Sequence, residues 1–459
     1  MRFLLSFFCG ALASLGFAPY SIWLAPIIAL SLFFNILKKQ WLADRLLLSF
    51  IFGLGLLLPN QFWTGTYVGD LPWITLALMQ SFLFLPLAVV TPRGGKYNPL
   101  LFAFGLVVSE LLLRTIPFTG FGWSRLSFTQ VDGYLSAFYP LVGGVGVAFL
   151  IAFIAANKDV RAFALILLII IGLNLWPNEA TAENQLKIAL VQGGVKNLGL
   201  DFNSNPKEVF QRHLQTTLTN LKGKQVDLII WPENSVDIDL FKNQEVQQSI
   251  TNASADLQTP ILVGGITRSN GKLENISVLF DPTITSTYVK RYLTPFGEYI
   301  PLRYLLERIS PLTDDVSDFS AGTSSNQMKI SQFTTDLFIC YEILNDQFKN
   351  QIDSDFIIVQ TNNATFGDTN QLDQELQIAR VRALESGREV AYVSTTGVTS
   401  FIDRDGKIRS EIPKFQPNVL IDKVNTYTDT QINQKLGFYP EIFACFMIFF
   451  LHMRIRRSK

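Results

Sequence analysis

Residues 1 to about 177 run as long apolar stretches parted by short polar breaks, and one more apolar stretch follows near 437–453. No other feature constrains this chain as much. A hydrocarbon core needs about 20 predominantly apolar residues per helix. Backbone N–H and C=O groups in lipid must bond within their own segment, so the stretches are read as helices. Seven spans are expected near 2–18, 22–37, 46–60, 73–91, 99–116, 136–156 and 160–177, and an eighth near 437–453. Composition agrees: only 17% of residues are charged, against about 25% in an ordinary soluble chain. That excludes a typical soluble domain, and so much apolar surface excludes disorder.

The polar breaks carry a topology. Arg2, then Lys38, Lys39 and Arg45, then Arg93 and Lys96, then Lys158 and Arg161, and finally Arg454, Arg456, Arg457 and Lys459 mark the cytoplasmic side, where positive loops are retained. The breaks between them hold few basic residues. Both termini are therefore expected in the cytoplasm, and the polar block after the seventh span on the outside. The expected organisation is a membrane domain over 1–180, a globular domain over 184–430, and a last span with a basic tail over 437–459. Trp63, Tyr67, Trp73, Trp123 and Tyr439 fall at outer span ends, where aromatic belts form. Glu110 is the main ionisable residue inside a span, with Arg114 one turn later as its expected partner. Spans so poor in ionisable groups argue against a transporter.

The globular block alternates strand-like and helical segments. Apolar runs at 187–192, 226–231, 260–266, 276–280, 336–341, 356–361, 390–395 and 399–403 read as strands, and 206–222, 241–256 and 371–388 carry helical spacing. Pro206 is expected in the first turn of its helix. This pattern predicts one α/β domain.

Balanced charge, 38 basic against 38 acidic residues, gives no reason to expect nucleic acid. Two histidines leave no multi-histidine metal site, and neither metal nor cofactor is expected. The three cysteines, Cys9, Cys340 and Cys445, make no disulfide framework.

Three places in the α/β block can do chemistry. An apolar strand runs into Trp231-Pro232-Glu233, and a carboxylate at a strand end faces the crevice where ligands bind. Lys290 precedes Pro295-Phe296-Gly297-Glu298-Tyr299, an aromatic setting in which a cation can steady an oxyanion. Cys340-Tyr341-Glu342 holds the one cysteine outside the apolar stretches. A nucleophile, a base and a cation together serve acyl transfer through a thioester, without histidine.

That ordered set of Glu233, Lys290 and Cys340 resembles the carbon–nitrogen hydrolase (nitrilase) superfamily. Thr361-Asn362-Asn363-Ala364-Thr365-Phe366-Gly367, Arg382-Ala383-Leu384-Glu385 and Thr396-Gly397 resemble its later motifs. Seven spans, such a domain and one further span, with LTPFGEYIP, CYE, and Phe121-Gly122-Trp123 before Gln130-Val131-Asp132-Gly133, resemble the apolipoprotein N-acyltransferases over nearly the whole chain. The resemblance implies an αββα sandwich carried on a polytopic bundle in the bacterial inner membrane, facing the periplasm. It implies Glu233 as base, Lys290 as transition-state stabiliser, Cys340 as nucleophile, and Glu298 and Glu342 as supporting acids. Trp231, Trp123, Tyr341 and Phe296 are candidate substrate contacts. A membrane phospholipid would be the acyl donor and a diacylglyceryl-modified apolipoprotein the acceptor. The alternative is a membrane-anchored amidase with water as acceptor. Two motifs depart from the family pattern: Asn363 and Thr365 replace an acid and a tryptophan, and Glu375 replaces a histidine. The stretch from Tyr304 to Gly322 is a candidate gate.

Overall fold

The computed structural model describes residues 1–175, 180–269, 271–308, 317–349 and 353–457. Part of the candidate gate, 309–316, lies outside them. The chain divides into two compact units: Met1–Glu179 with Thr430–Lys459, and Ala180–Asp429.

Every apolar stretch of the first unit is helical. The helices are Arg2–Ser14, Leu24–Leu37, Leu42–Asn60, Asp70–Ser81 continued through Leu85–Val90, Asn98–Leu113, Tyr139–Ala156, Val160–Leu175 and Tyr439–Arg457. Among the described residues, three segments suffice by length and composition to cross a membrane, Leu42–Asn60, Asp70–Val90 and Tyr134–Ala156, and several other apolar helices are shorter. Glycines let the first and third helices touch backbone to backbone. A Cβ on Gly10 would lie 2.1 Å from the Phe52 carbonyl oxygen, and one on Gly55 the same distance from that of Phe7.

Glu110 is buried, but its partner is not Arg114. It accepts from the Ser127 amide (2.9 Å), the Ser127 hydroxyl (2.7 Å) and Arg125 Nε (3.4 Å). Arg114 pairs instead with Glu441 on the last helix. A turn's spacing brought Glu110 and Arg114 close, but the loop after the helix offered a carboxylate three donors at once. Two members of the expected aromatic belt also turn inward. Trp63 and Trp123 are buried, with ring centroids 4.8 Å apart.

The second unit holds two sheets. Its strands are β1 (Gln185–Gln192), β2 (Leu228–Ile230), β3 (Val236–Asp239), β4 (Ile261–Ser269), β5 (Lys272–Phe280), β6 (Ile284–Val289), β7 (Gln327–Ile330), β8 (Phe333–Ile339), β9 (Phe356–Thr361), β10 (Val390–Ser394), β11 (Thr399–Ile402), β12 (Ile408–Ile412) and β13 (Asn418–Asn425). One sheet has the order β13-β1-β2-β4-β5-β6, with β3 beside β4, and the other β12-β11-β10-β9-β8-β7. Ile188, Leu190, Ile230 and Leu262 of the first sheet meet Leu337, Ile339, Ile358 and Val393 of the second in one buried core. The other face of the first sheet buries Ile229, Trp231 and Val263 with Phe210, Leu221, Val246 and Ile250 of helices Glu208–Leu221 and Gln244–Leu257. Helix Gln371–Ser386, almost wholly buried, joins the second sheet through β10. The layers are helix, sheet, sheet, helix. Pro206 precedes its helix instead of opening it, because Lys207 takes a left-handed turn (φ 66°) before Glu208.

Candidate active site

The site is assembled at strand ends. β2 lies between β1 and β4 with parallel pairing on both sides, and Glu233 follows it by three residues. The chain turns there against Gly264 of β4. A Cβ at that glycine would lie 2.4 Å from the Pro232 carbonyl oxygen and 2.7 Å from Glu233 Cα, so no other residue fits. Lys290 directly follows β6. Its amide donates to the Asn275 carbonyl (2.9 Å) and its carbonyl accepts from Gly322 (2.8 Å). Cys340 directly follows β8 and opens the turn Cys340–Leu344 with φ 50°, a left-handed conformation rare for a residue bearing Cβ.

Side chains converge from these ends. The Lys290 ammonium lies 2.9 Å from Glu298 Oε2 and 3.5 Å from Glu233 Oε1. Asn275 Nδ2 donates to Glu233 Oε1 (2.7 Å) and Glu298 Oε1 (2.8 Å). The Asn362 amide donates to Glu233 Oε2 (2.8 Å). Glu298 is further tied by the Thr294 amide (2.8 Å). Glu342 does not touch the lysine through a hydrogen bond. It accepts from Tyr288 Oη (2.8 Å) and the amides of Arg291 (2.8 Å), Tyr292 (3.2 Å) and Ile339 (2.9 Å), and so ties the Cys340 turn to the chain after Lys290.

Burial sets the electrostatics. Desolvation raises the Glu233 carboxyl above the ordinary range, and Glu298 adds to this, while Lys290, Asn275 and Asn362 oppose it. Burial alone would lower Lys290, but Glu298 and Glu233 more than reverse that, and it stays an ammonium. Burial lifts the Cys340 thiol well up, helped by the negative charges of Glu233 and Glu375 and resisted by Lys290 and the Thr361 hydroxyl. The resting site therefore holds a protonated thiol, a cation and a carboxylate able to take a proton.

Among the candidate substrate contacts, Tyr341 is buried beside Cys340 and faces Tyr299 and Lys290. Phe296 is 53% exposed on the loop after Lys290. Trp123 belongs to the other unit. Trp231 is a correction: it is fully buried on the helix side of the sheet, and its indole N–H donates to Thr217 (2.9 Å). Strand alternation puts its ring with that of Ile229 on the helix side, and the chain turns at Pro232 before Glu233.

The sequence reading missed Asn275, the Asn362 amide and Thr361. It noted Asn363 and Glu375 only as departures, yet they bond each other, Asn363 Nδ2 donating to Glu375 Oε2 at 2.7 Å. Among the described residues, no cluster of His, Cys, Asp and Glu fits a metal ion.

Comparison with known proteins decides the family. Residues 9–157 match the profile of the apolipoprotein N-acyltransferase N-terminal domain, and residues 187–431, more than half the chain, match that of carbon-nitrogen hydrolase. Apolipoprotein N-acyltransferase of Mycolicibacterium smegmatis is 30% identical over 84% of this chain and 73% of its own length. That of Wigglesworthia glossinidia brevipalpis is 27% identical over 98% of this chain and 97% of its own.

The chain belongs to the apolipoprotein N-acyltransferase family. It is an acyltransferase of the carbon–nitrogen hydrolase class with a membrane unit of apolar helices. In this N-acyltransferase, Glu233 and Lys290 come from the first sheet and Cys340 from the second.

Proposed function

We propose that the enzyme moves a fatty acyl chain from a membrane phospholipid to the N-terminal amine of a diacylglyceryl-modified cysteine on an apolipoprotein, by a two-step exchange on Cys340. The observation that carries this reading is the setting of Cys340, a thiol within electrostatic reach of a buried carboxylate, Glu233, and a buried ammonium, Lys290.

Glu233 takes the thiol proton as Cys340 Sγ attacks the ester carbonyl. The oxyanion that forms is steadied by the Lys290 ammonium, which Glu298 and Asn275 keep in place. The tetrahedral adduct collapses, the C–O bond breaks, and the lysophospholipid leaves with the proton from Glu233. A thioester remains on Cys340. The acceptor amine attacks it, Glu233 receives the amine proton, and collapse expels the Cys340 sulfur, which recovers the proton. Tyr341, beside the nucleophile, and exposed Phe296 fit contact with substrate.

The membrane unit suits this chemistry. Each buried methylene of an acyl chain is worth about 0.8 kcal/mol, so neither substrate can leave lipid wholly. The reading places eight crossings over the helices of the membrane unit, the unit Ala180–Asp429 on the periplasmic side of the inner membrane, and both termini in the cytoplasm, as the basic breaks require. The test is an intact mass after incubation with phospholipid and no acceptor. Gain of one acyl chain, mapped to Cys340 and absent in Cys340→Ser, is expected. No adduct on a Cys340 that still reacts with a small thiol reagent would exclude the phospholipid donor and favour hydrolysis of soluble amides.

A further inference from the structure

The last helix, Tyr439–Arg457, has two working faces. One packs: Ala444 and Leu451 lie in a buried core with Leu101 and Phe104. The other lines a groove. Cys445, Ile448, Phe449, His452, Met453 and Arg456 recur at three- and four-residue steps and so share a single stripe. This stripe is one wall, and Val89 and Val90, at the end of helix Leu85–Val90, are the other. The groove holds about 350 Å³, within the range of ligand sites, about 300–1,000 Å³. Both walls belong to the membrane unit.

The groove is apolar along most of its length and cationic at one end. From Cys445 to Arg456 the stripe runs about 16 Å, at 1.5 Å per residue. His452 and Arg456 stand one turn apart at its end. His452 Nδ1 donates to the Ile448 carbonyl (2.9 Å), which leaves Nε2 for an outside partner. Arg456 is exposed, and Arg454 and Arg457 lie in the same last turn. Beyond Glu441, which pairs with Arg114 at the far end, the helix has no acidic residue through Arg457. Thr91 to Lys96, the chain that follows Val90, has none either and carries Arg93 and Lys96.

Basic residues also suit a helix C-terminus, but that does not account for the apolar stripe leading up to them. Stripe and cations together are the complement of a hydrocarbon tail with an anionic head. A guanidinium matches phosphate geometry, and an anion favours the imidazolium, in which Nε2 donates. A headgroup with its own ammonium would meet three arginines of the last turn and no carboxylate.

We propose that this groove is a binding site for one anionic phospholipid, with an acyl chain along Ile448, Phe449 and Met453 and the phosphate held by His452 and Arg456. The proposal does not depend on the acyl-transfer reading, and its test uses lipids that cannot donate an acyl chain.

The probes are a phosphatidylglycerol and a phosphatidylethanolamine with the same ether-linked chains, which hold no ester to transfer. The delipidated full-length protein in detergent is titrated with each, and bound lipid is counted by native mass spectrometry. Cys445, a free and exposed thiol in the groove, gives a second readout through its rate of labelling by N-ethylmaleimide, followed by peptide mass. One phosphatidylglycerol should bind about fivefold or more tighter than phosphatidylethanolamine, and slow the labelling of Cys445 to match. Arg456→Ala should weaken that binding about fivefold. Val89→Trp, which fills the groove, should abolish binding and protection, while Arg161→Ala, outside the groove, should change neither. Inorganic phosphate should leave Cys445 unprotected. Equal affinity for the two lipids, or unchanged affinity in Arg456→Ala, would overturn the proposal. So would protection by inorganic phosphate alone, which would mark a small-anion site with no place for a tail. If Arg456→Ala does not fold, Val89→Trp decides: binding and Cys445 protection retained there would place the lipid elsewhere.

Discussion

Asn275 and Lys290 share their acceptors. The amide nitrogen of one and the ammonium of the other both contact Glu233 Oε1 and Glu298 Oε1, and the two residues are also joined backbone to backbone. Neither carboxylate can move without disturbing both donors. Asn275→Ala should thus lower acyl transfer about tenfold or more and cost about 1.5–3 kcal/mol of stability, the range for hydrogen bonds to charged groups. Initial rates and thermal unfolding of the variant check both, and an unchanged rate would mean that Lys290 alone positions the pair.

In the proposed transfer Glu233 must be ionised to take the thiol proton, and burial raises it. Its carboxylate form is lost as pH falls through that raised value. The acid limb of kcat/KM should therefore lie above the ordinary glutamate value of about 4.3. Asn275 holds the carboxyl down, so Asn275→Ala should move the limb higher still. A pH–rate profile in detergent micelles measures both.

Lys290→Met should reduce the rate by about 10² or more, as loss of an oxyanion donor does. It also strands Glu233 and Glu298 without their cation, at a cost of about 3–5 kcal/mol. Burial already raises Glu233, and without the Lys290 charge that opposes this it titrates further above its unfolded value, so the folded form binds more protons than the unfolded one. Stability of the variant is then present at low pH and lost as pH rises through the raised Glu233 value. Unfolding midpoints of parent and variant should converge toward pH 5 and separate toward pH 8.

Trp231→Phe should leave KM unchanged. Its ring packs against Phe210 and His213 and bonds Thr217, away from the catalytic face. The expected loss is about 1 kcal/mol of stability from one neutral hydrogen bond. A raised KM with normal stability would restore Trp231 to the substrate surface.

The legible parts of this protein were those governed by local pattern. Apolar runs located β1, β2, β4, β5, β8, β9, β10 and β11, which are buried on one or both faces. β6, β7 and β12 escaped because their exposed positions interrupt any run, as in Ile284–Val289 and Gln327–Ile330. Glu233, Lys290 and Cys340 were legible because each follows a strand. Asn275 was not, since a strand asparagine shows no sign of the two carboxylates that folding brings to it. Trp231 was misplaced because adjacency to Glu233 in sequence says nothing about which face a ring takes. Likewise Glu110 met Arg125 and Ser127 through a loop whose path no helical spacing describes.

Glu233 and Lys290 stand on one sheet and Cys340 on the other, so the centre exists only where the two layers of the sandwich close on each other. Neither sheet by itself carries Glu233 and Cys340 together. A half-folded chain therefore keeps the carboxylate and the ammonium apart from the thiol, and only the closed sandwich brings the three together.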